Sequence, residues 1–251
     1  FEFIFSVFGV QVILLFLSMM IARLLFSNEL PYLCLHGVTA VFSNSAYMGI
    51  PLALIAVGDE ALIPSIIATV LNAAGLMVLV SFIIGIGKAG SEDAGSSILR
   101  LLFSNPLLIA AVTGTTLSVL KLPLPDYLSS LTQMLGDTAG TCALFAMGMF
   151  LAGIGIPKTR FRRTGIEIGW VCTLKLIIHP LVTWVCVTYV FDLNPTWAAT
   201  AVIMASLPTG ALTFVLAQEN NTYTEQTATT ILLSTLLSVA TTTTVLSYYG
   251  L

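Results

Sequence analysis

Two short segments carry the residue types from which an anion site inside a membrane is built. The first is Phe42-Ser-Asn44-Ser-Ala-Tyr-Met-Gly49-Ile-Pro51, and the second is Ala205-Ser206-Leu-Pro208-Thr209-Gly210. A proline removes a backbone donor and clashes with the preceding turn, and a nearby glycine lets the chain leave helical geometry. Each segment therefore predicts an unwound stretch, with a half-helix resuming at Pro51 and at Pro208. Such a half-helix presents free amide donors and a positive dipole end, which suit a carboxylate. Asn44, Ser206 and Thr209 add side-chain donors and acceptors at the same depth. A plain proline kink is the alternative for either segment alone. Two breaks at matching depth, Gly49/Pro51 and Pro208/Gly210, favour a site.

Other polar residues fall inside otherwise apolar stretches. Lys175 and His179 precede Pro180, and an ionisable group at membrane depth is a functional candidate. Snorkelling of Lys175 to the interface is the competing account. Asn72 suits an interhelical hydrogen bond. Asp137 is expected near a helix N-terminus, where an acid is favoured for local reasons. Asn72, Asp137, Lys175 and His179 are the candidates for coupling or support, and His36 is expected at the membrane interface.

The elements that must position these residues follow from composition. Of 251 residues, 57% are hydrophobic and 8% charged, too few charges to cover a soluble fold. The apolar residues come in blocks of about twenty, the length that crosses a hydrocarbon core of about 30 Å. Eight spans result, at roughly 4–25, 34–57, 61–87, 99–119, 129–154, 166–190, 196–217 and 226–249. The fold class is thus an all-α membrane protein of about eight transmembrane helices, because a chain in lipid satisfies its backbone internally. Arg23, Lys88, Arg100, Lys158, Arg160, Arg162 and Arg163 lie in or beside odd-numbered loops, and the even-numbered loops hold only Lys121. The odd loops are therefore assigned to the cytoplasm.

Several chemistries find no support in the pattern. Cys34, Cys142, Cys172 and Cys186 lack CxxC or His/Cys ligand spacing and read as packing residues. No metal or cofactor is expected. Gly85-Ile-Gly87-Lys88 has the wrong spacing for a phosphate loop. The basic run from Lys158 to Arg163 reads as a topogenic loop rather than a nucleic-acid surface. His36 and His179 are single histidines without an HExxH pair, and no second aspartate or paired base suggests an intramembrane protease, so an enzyme is not expected.

Spans two and seven lie five apart, as equivalents in an inverted five-plus-five repeat would. Residues 1–88 then form a partial first repeat of three spans, 89–98 a cytoplasmic loop, and 99–251 a complete second repeat of five spans. Two spans are expected to precede the chain, which opens on Phe1.

The sequence resembles the auxin efflux carrier family, which includes plant auxin exporters and bacterial permeases for small organic acids. The resemblance rests on Asn44-x-x-x-x-Gly49-Ile-Pro51, Asn105-Pro106, Asp137-Thr-Ala through Met147-Gly148-Met-Phe-Leu151-Ala, Lys175-Leu-Ile-Ile-His179-Pro180, Leu207-Pro208 and Ala217-x-x-x-Asn221. It implies a ten-helix inverted-repeat transporter fold whose fourth and ninth helices, here spans two and seven, break and cross. It further implies alternating access around the crossing and a homodimer, with Asn44 and the chain near Pro51 and Pro208 on the substrate carboxylate. The family's first two helices have no counterpart here. The short loop after span three points to a bacterial-type permease in the inner (plasma) membrane.

The expected function is secondary transport of a small organic carboxylate anion such as malate or malonate. Membrane lipid and that anion are the expected partners, and nucleic acid is not. Export of an aromatic acid such as auxin is the alternative within transport, and a non-transporting receptor is the alternative outside it. A wide apolar pocket beside the crossing would favour the aromatic acid, saturable binding without flux a receptor, and flux without saturation a channel.

Overall fold

The computed structural model describes residues 1–89, 109–110, 113–114, 116–117, 120–153 and 161–250. Most of the expected span at 99–119, including Asn105-Pro106, lies outside the described residues, as do the loop at 90–98 and Lys158 and Arg160. The described chain is helical, in the order α1 Glu2–Leu25, α2 Leu30–Val41, α3 Ser45–Val57, α4 Asp59–Gly87, α5 Asp126–Gly153, α6 Thr164–Val190, α7 Pro195–Ser206, α8 Leu212–Glu219 and α9 Thr224–Tyr248. Helices α1, α4, α6 and α9 are long and apolar enough to cross a membrane, by length and composition.

Local chemistry sets the ends. Pro31 and Pro195 each occupy a first-turn position, where no donor is lost. Asn194 caps α7 through its side chain, accepting from the Thr196 amide at 2.9 Å. Gly58, at φ +97°, turns the chain between α3 and α4, a conformation L side chains rarely adopt.

Two expectations about helix ends change. The chain opens at Phe42–Asn44 and Leu207–Ala211, so the half-helices resume at Ser45 and Leu212 rather than at Pro51 and Pro208. Pro51 sits inside the first turns of α3, and Pro208 lies in the extended segment itself. Asp137 is eleven residues past the start of α5 and exposed, not near an N-terminus. The N-terminal dipole therefore has no bearing on it, since that effect fades within the first turn.

Among the described residues the apolar core has two large parts, with a small third cluster of Phe214, Ala228 and Ile231. One holds Val10, Leu14 and Leu15 of α1, Leu76 to Ile84 of α4 and Val171 and Leu174 of α6, around α2. The other holds Phe3 and Val7 of α1, Ala61 and Ala68 of α4 and Val187 of α6, around α7. Along α1, α4 and α6 buried polar residues lie close to the changeover: Gln11, Asn72, and Lys175 with His179. All four are 3% exposed or less. A polar layer thus divides the bundle, and both broken helices open into it. Helix α7 reaches this layer because Ala198 through Ser206 are uniformly small or slender enough to be buried on every side.

Candidate functional site

The two open segments pair with each other. The Asn44 amide donates to the Pro208 carbonyl at 2.9 Å, and the Gly210 amide donates to the Phe42 carbonyl at 3.2 Å. This is a single antiparallel bridge centred on Ser43 and Thr209. It answers the demand that every backbone polar group at membrane depth find a protein partner. Pro208 is suited to its place because only its carbonyl is used.

Side chains complete the accounting. Asn72 donates to the Ser43 carbonyl at 2.7 Å and to Ser45 Oγ at 3.1 Å. Its Oδ1 accepts from Gln11 Nε2 at 3.1 Å and from the Ser43 amide at 3.4 Å. On the second segment, the Thr209 amide donates to Ser234 Oγ at 3.1 Å. Thr209 Oγ1 donates to the Thr39 carbonyl at 2.9 Å, and Thr242 Oγ1 to the Ser206 carbonyl at 3.1 Å. Asn72 on α4 ties the first break, and Ser234 and Thr242 on α9 tie the second.

Lys175 lies at the centre of the layer. It is fully buried, and its Nζ donates to Ser43 Oγ at 2.7 Å, the Ala205 carbonyl at 2.9 Å and His179 Nδ1 at 3.1 Å. Three acceptors match the three donors of an ammonium group. Snorkelling is thereby excluded, since the side chain runs inward to the crossing. The ammonium stands where α2 and α7 both end, at Val41 and Ser206, and helix C-termini carry partial negative charge. Lys175 and Asn72 both lie in wide π-type turns, Leu174–Ile178 and Leu71–Leu76. Such turns shift the register of one helix face and are frequent at functional sites.

The glycines act by proximity. A Cβ on Gly210 would stand 2.7 Å from Phe42 Cε1 and 3.1 Å from the Ser43 carbonyl oxygen. A Cβ on Gly49 would stand 2.5 Å from Met204 Sδ. Gly49 is itself right-handed helical, at φ −69°, so its expected role in unwinding gives way to one in close helix approach.

The structure therefore brings Asn44, Ser206, Pro208, Thr209, Gly210, Asn72, Lys175 and His179 to one place. Pro51 lies two turns along α3 and is exposed, and Asp137 is exposed on α5. Tyr47, also exposed, donates to the Gly136 carbonyl beside Asp137 at 3.3 Å. Asn44 is half-buried and its side chain makes no cap bond to α3. A cavity of about 10 Å³ is bordered by Gln11, Ser45, Asn72, His179 and Thr183, room for about one water. Gln11 Oε1 is buried there without a protein partner.

Ser43, Gln11, Ser234 and Glu167 were not among the residues expected at the site, and the run Thr241–Thr244 was expected only in close helix packing. Gln11 and Glu167 were findable by the rule that singled out Asn72, being lone polar residues in apolar stretches. Ser43 and the α9 hydroxyls were not, because serines and threonines are common throughout the chain. His36, expected at the interface, is fully buried and hydrogen-bonded to Ser18 Oγ at 2.8 Å.

Broken helices that meet in a polar layer of an apolar bundle define a class, the membrane transporters with discontinuous helices. The chain belongs to the family described as membrane transport protein, of the auxin efflux carrier type, which it matches over residues 1–246. It is 32% identical over 245 residues to a Rhizobium meliloti protein named "Putative malonate transporter", covering 96% of this chain and 75% of that one. An "Uncharacterized transporter" of Methanothermobacter thermautotrophicus is 28% identical, over 80% of this chain and 63% of its own length. "Auxin efflux carrier component 8" of Arabidopsis thaliana is 27% identical, over 61% of this chain and 41% of its own length.

Proposed function

We propose that this protein is a secondary carrier for a small organic carboxylate, with malonate or malate the leading candidates, working by alternating access around the crossing at Ser43 and Thr209. The carrying observation is the arrangement of helix ends. The C-termini of α2 and α7 are neutralised from inside by Lys175, while the N-termini of α3 and α8 begin at the same crossing. Their free amides and the unengaged Asn44 carboxamide offer donors to a carboxylate, and the buried ammonium adds a positive potential. Ser206, Pro208, Thr209 and Gly210 hold this frame, and Gly49 and Pro51 set the approach of α3.

The matching ties of the two breaks, to α4 on one side and α9 on the other, support a ten-helix inverted repeat of which this chain supplies eight spans. The odd-numbered loops then face the cytoplasm. A bacterial inner membrane, surrounding lipid and a homodimeric state complete the proposal. The relative named for malonate supports a dicarboxylate. The auxin-named relative supports the second reading, an aromatic acid, on a shorter stretch of similarity.

Uptake of labelled malonate, malate and indole-3-acetate into proteoliposomes by the full-length chain tests both readings. Saturable uptake of one acid is expected, and Asn44→Ala should raise its half-saturation concentration about tenfold or more, as loss of a hydrogen bond to a charged group of about 1.5–3 kcal/mol requires. Pro208→Ala should lower uptake by allowing α7 to extend through the crossing. No flux of any acid through folded protein would leave the receptor reading, and flux without saturation would mean a channel.

A further inference from the structure

A second buried polar cluster lies at the end of the bundle where α1 finishes and α2 and α6 begin, apart from the crossing. Glu167 of α6 is 2% exposed and accepts a hydrogen bond from Tyr32 Oη of α2 at 2.6 Å. His36, one turn further along α2, points Nε2 at Glu167 Oε1 from 3.9 Å. That nitrogen is fully buried and makes no hydrogen bond, while Nδ1 is engaged by Ser18 of α1. Phe26, Tyr32 and Tyr223 pack their rings around the imidazole and each other. Among the described residues, Tyr32 of α2 lies against Glu167, and Tyr223, from the connection between α8 and α9, adjoins His36, Glu167, Tyr32 and Cys172 of α6. Burial first, then the Glu167 carboxylate and Tyr32, push the Tyr223 phenol well above its usual range, so it stays protonated.

An imidazole nitrogen left unbonded beside a carboxylate, inside an apolar shell, is arranged to take up one proton. With Nδ1 bound to Ser18, the incoming proton leaves the imidazole cationic and draws Nε2–H to the carboxylate. The consequence reaches the crossing because α6, and α2 with the open segment that continues it, carry both clusters. His36 precedes Ser43 by seven residues and Glu167 precedes Lys175 by eight, the latter about 12 Å along α6. The contact of His36 with Glu167 and the contact of Ser43 with Lys175 are thus two rungs between α6 and the chain of α2 with its open continuation. Closing the first rung seats α2 against α6 and with it the second.

We propose that Glu167 and His36 form a proton-binding site, and that its occupancy raises affinity for the carboxylate at the crossing through α2 and α6. The proton site stands on the cluster alone, and the coupling rests on the carrier reading above. Trp170, one turn from Glu167 on α6, is the reporter. The full-length protein in nanodiscs, with Trp184→Phe, Trp197→Phe and any tryptophan outside residues 1–251 replaced, is titrated without substrate from about pH 8 down to about pH 3.5, which covers a buried histidine as well as an ordinary one. A one-proton fluorescence transition is expected, absent in Glu167→Gln and moved along the pH axis in Tyr32→Phe. The Gln variant keeps an acceptor for Tyr32, so folding is retained. An unchanged transition in Glu167→Gln, or none in the parent, overturns the site. Malonate affinity should rise about fivefold or more from the high to the low end of that range in the parent and stay level in Glu167→Gln. A level profile in the parent overturns the coupling. If malonate does not bind while the fluorescence transition behaves as stated, the carrier reading for malonate fails and the proton site holds.

Discussion

Lys175→Met is expected to lower saturable malonate uptake by about 10- to 100-fold while leaving the protein folded. Methionine has nearly the same length and no charge, so the cost of burying an ammonium disappears. Ser43 Oγ can turn to another acceptor and His179 can exchange tautomers, which strands only the Ala205 carbonyl. An unpaired buried acceptor costs about 1–3 kcal/mol, so the net change in stability is small. Function loses more, because the positive charge at the meeting of two helix C-termini vanishes and the ends of α2 and α7 then repel an incoming anion. Lys175→Arg should also fail, since a planar fork cannot direct donors at three acceptors gathered round one point. Uptake kinetics and thermal unfolding on the same preparations decide it. Wild-type uptake by Lys175→Met would end the role given to this residue.

Gly210→Ala should be the more destructive change to structure. The new methyl would stand 2.7 and 2.8 Å from two ring atoms of Phe42 and 3.1 Å from the Ser43 carbonyl oxygen. The ring is buried at 5% exposure and has no open space to turn into, and the carbonyl belongs to the pairing itself. Relief requires the Gly210–Phe42 and Asn44–Pro208 bonds to lengthen. Overpacking of this kind costs about 1–3 kcal/mol, and at the crossing it displaces the starts of α3 and α8 together. Uptake should fall by more than the loss of folded protein explains. Adding Phe42→Leu should restore much of the stability and little of the uptake, because the contact with the Ser43 carbonyl remains. Full recovery of uptake in the double variant would show that the crossing tolerates displacement.

The chain by itself determined that it lives in lipid and is helical, since blocks of about twenty apolar residues admit no other backbone. It also determined which two helices break, because proline with glycine inside an apolar block has few other readings. Asn72 and Lys175 stood out for the same reason, as polar groups where polar groups are costly. What it left open was where each break begins and what closes it. Pro51 and Pro208 drew the expected helix starts to themselves, yet Pro51 lies inside α3, and the chain opens earlier, at Phe42. That displacement follows from the partner strand: Phe42 and Asn44 bond to Gly210 and Pro208 from 164 residues or more away, and no local preference encodes such a pairing. Tertiary structure alone also decided that Lys175 turns inward, that His36 is buried against Glu167, and that Asp137 stays on the surface of α5. A side chain on an apolar helix has lipid, interface and bundle interior open to it, and only the packing of neighbouring helices selects among them.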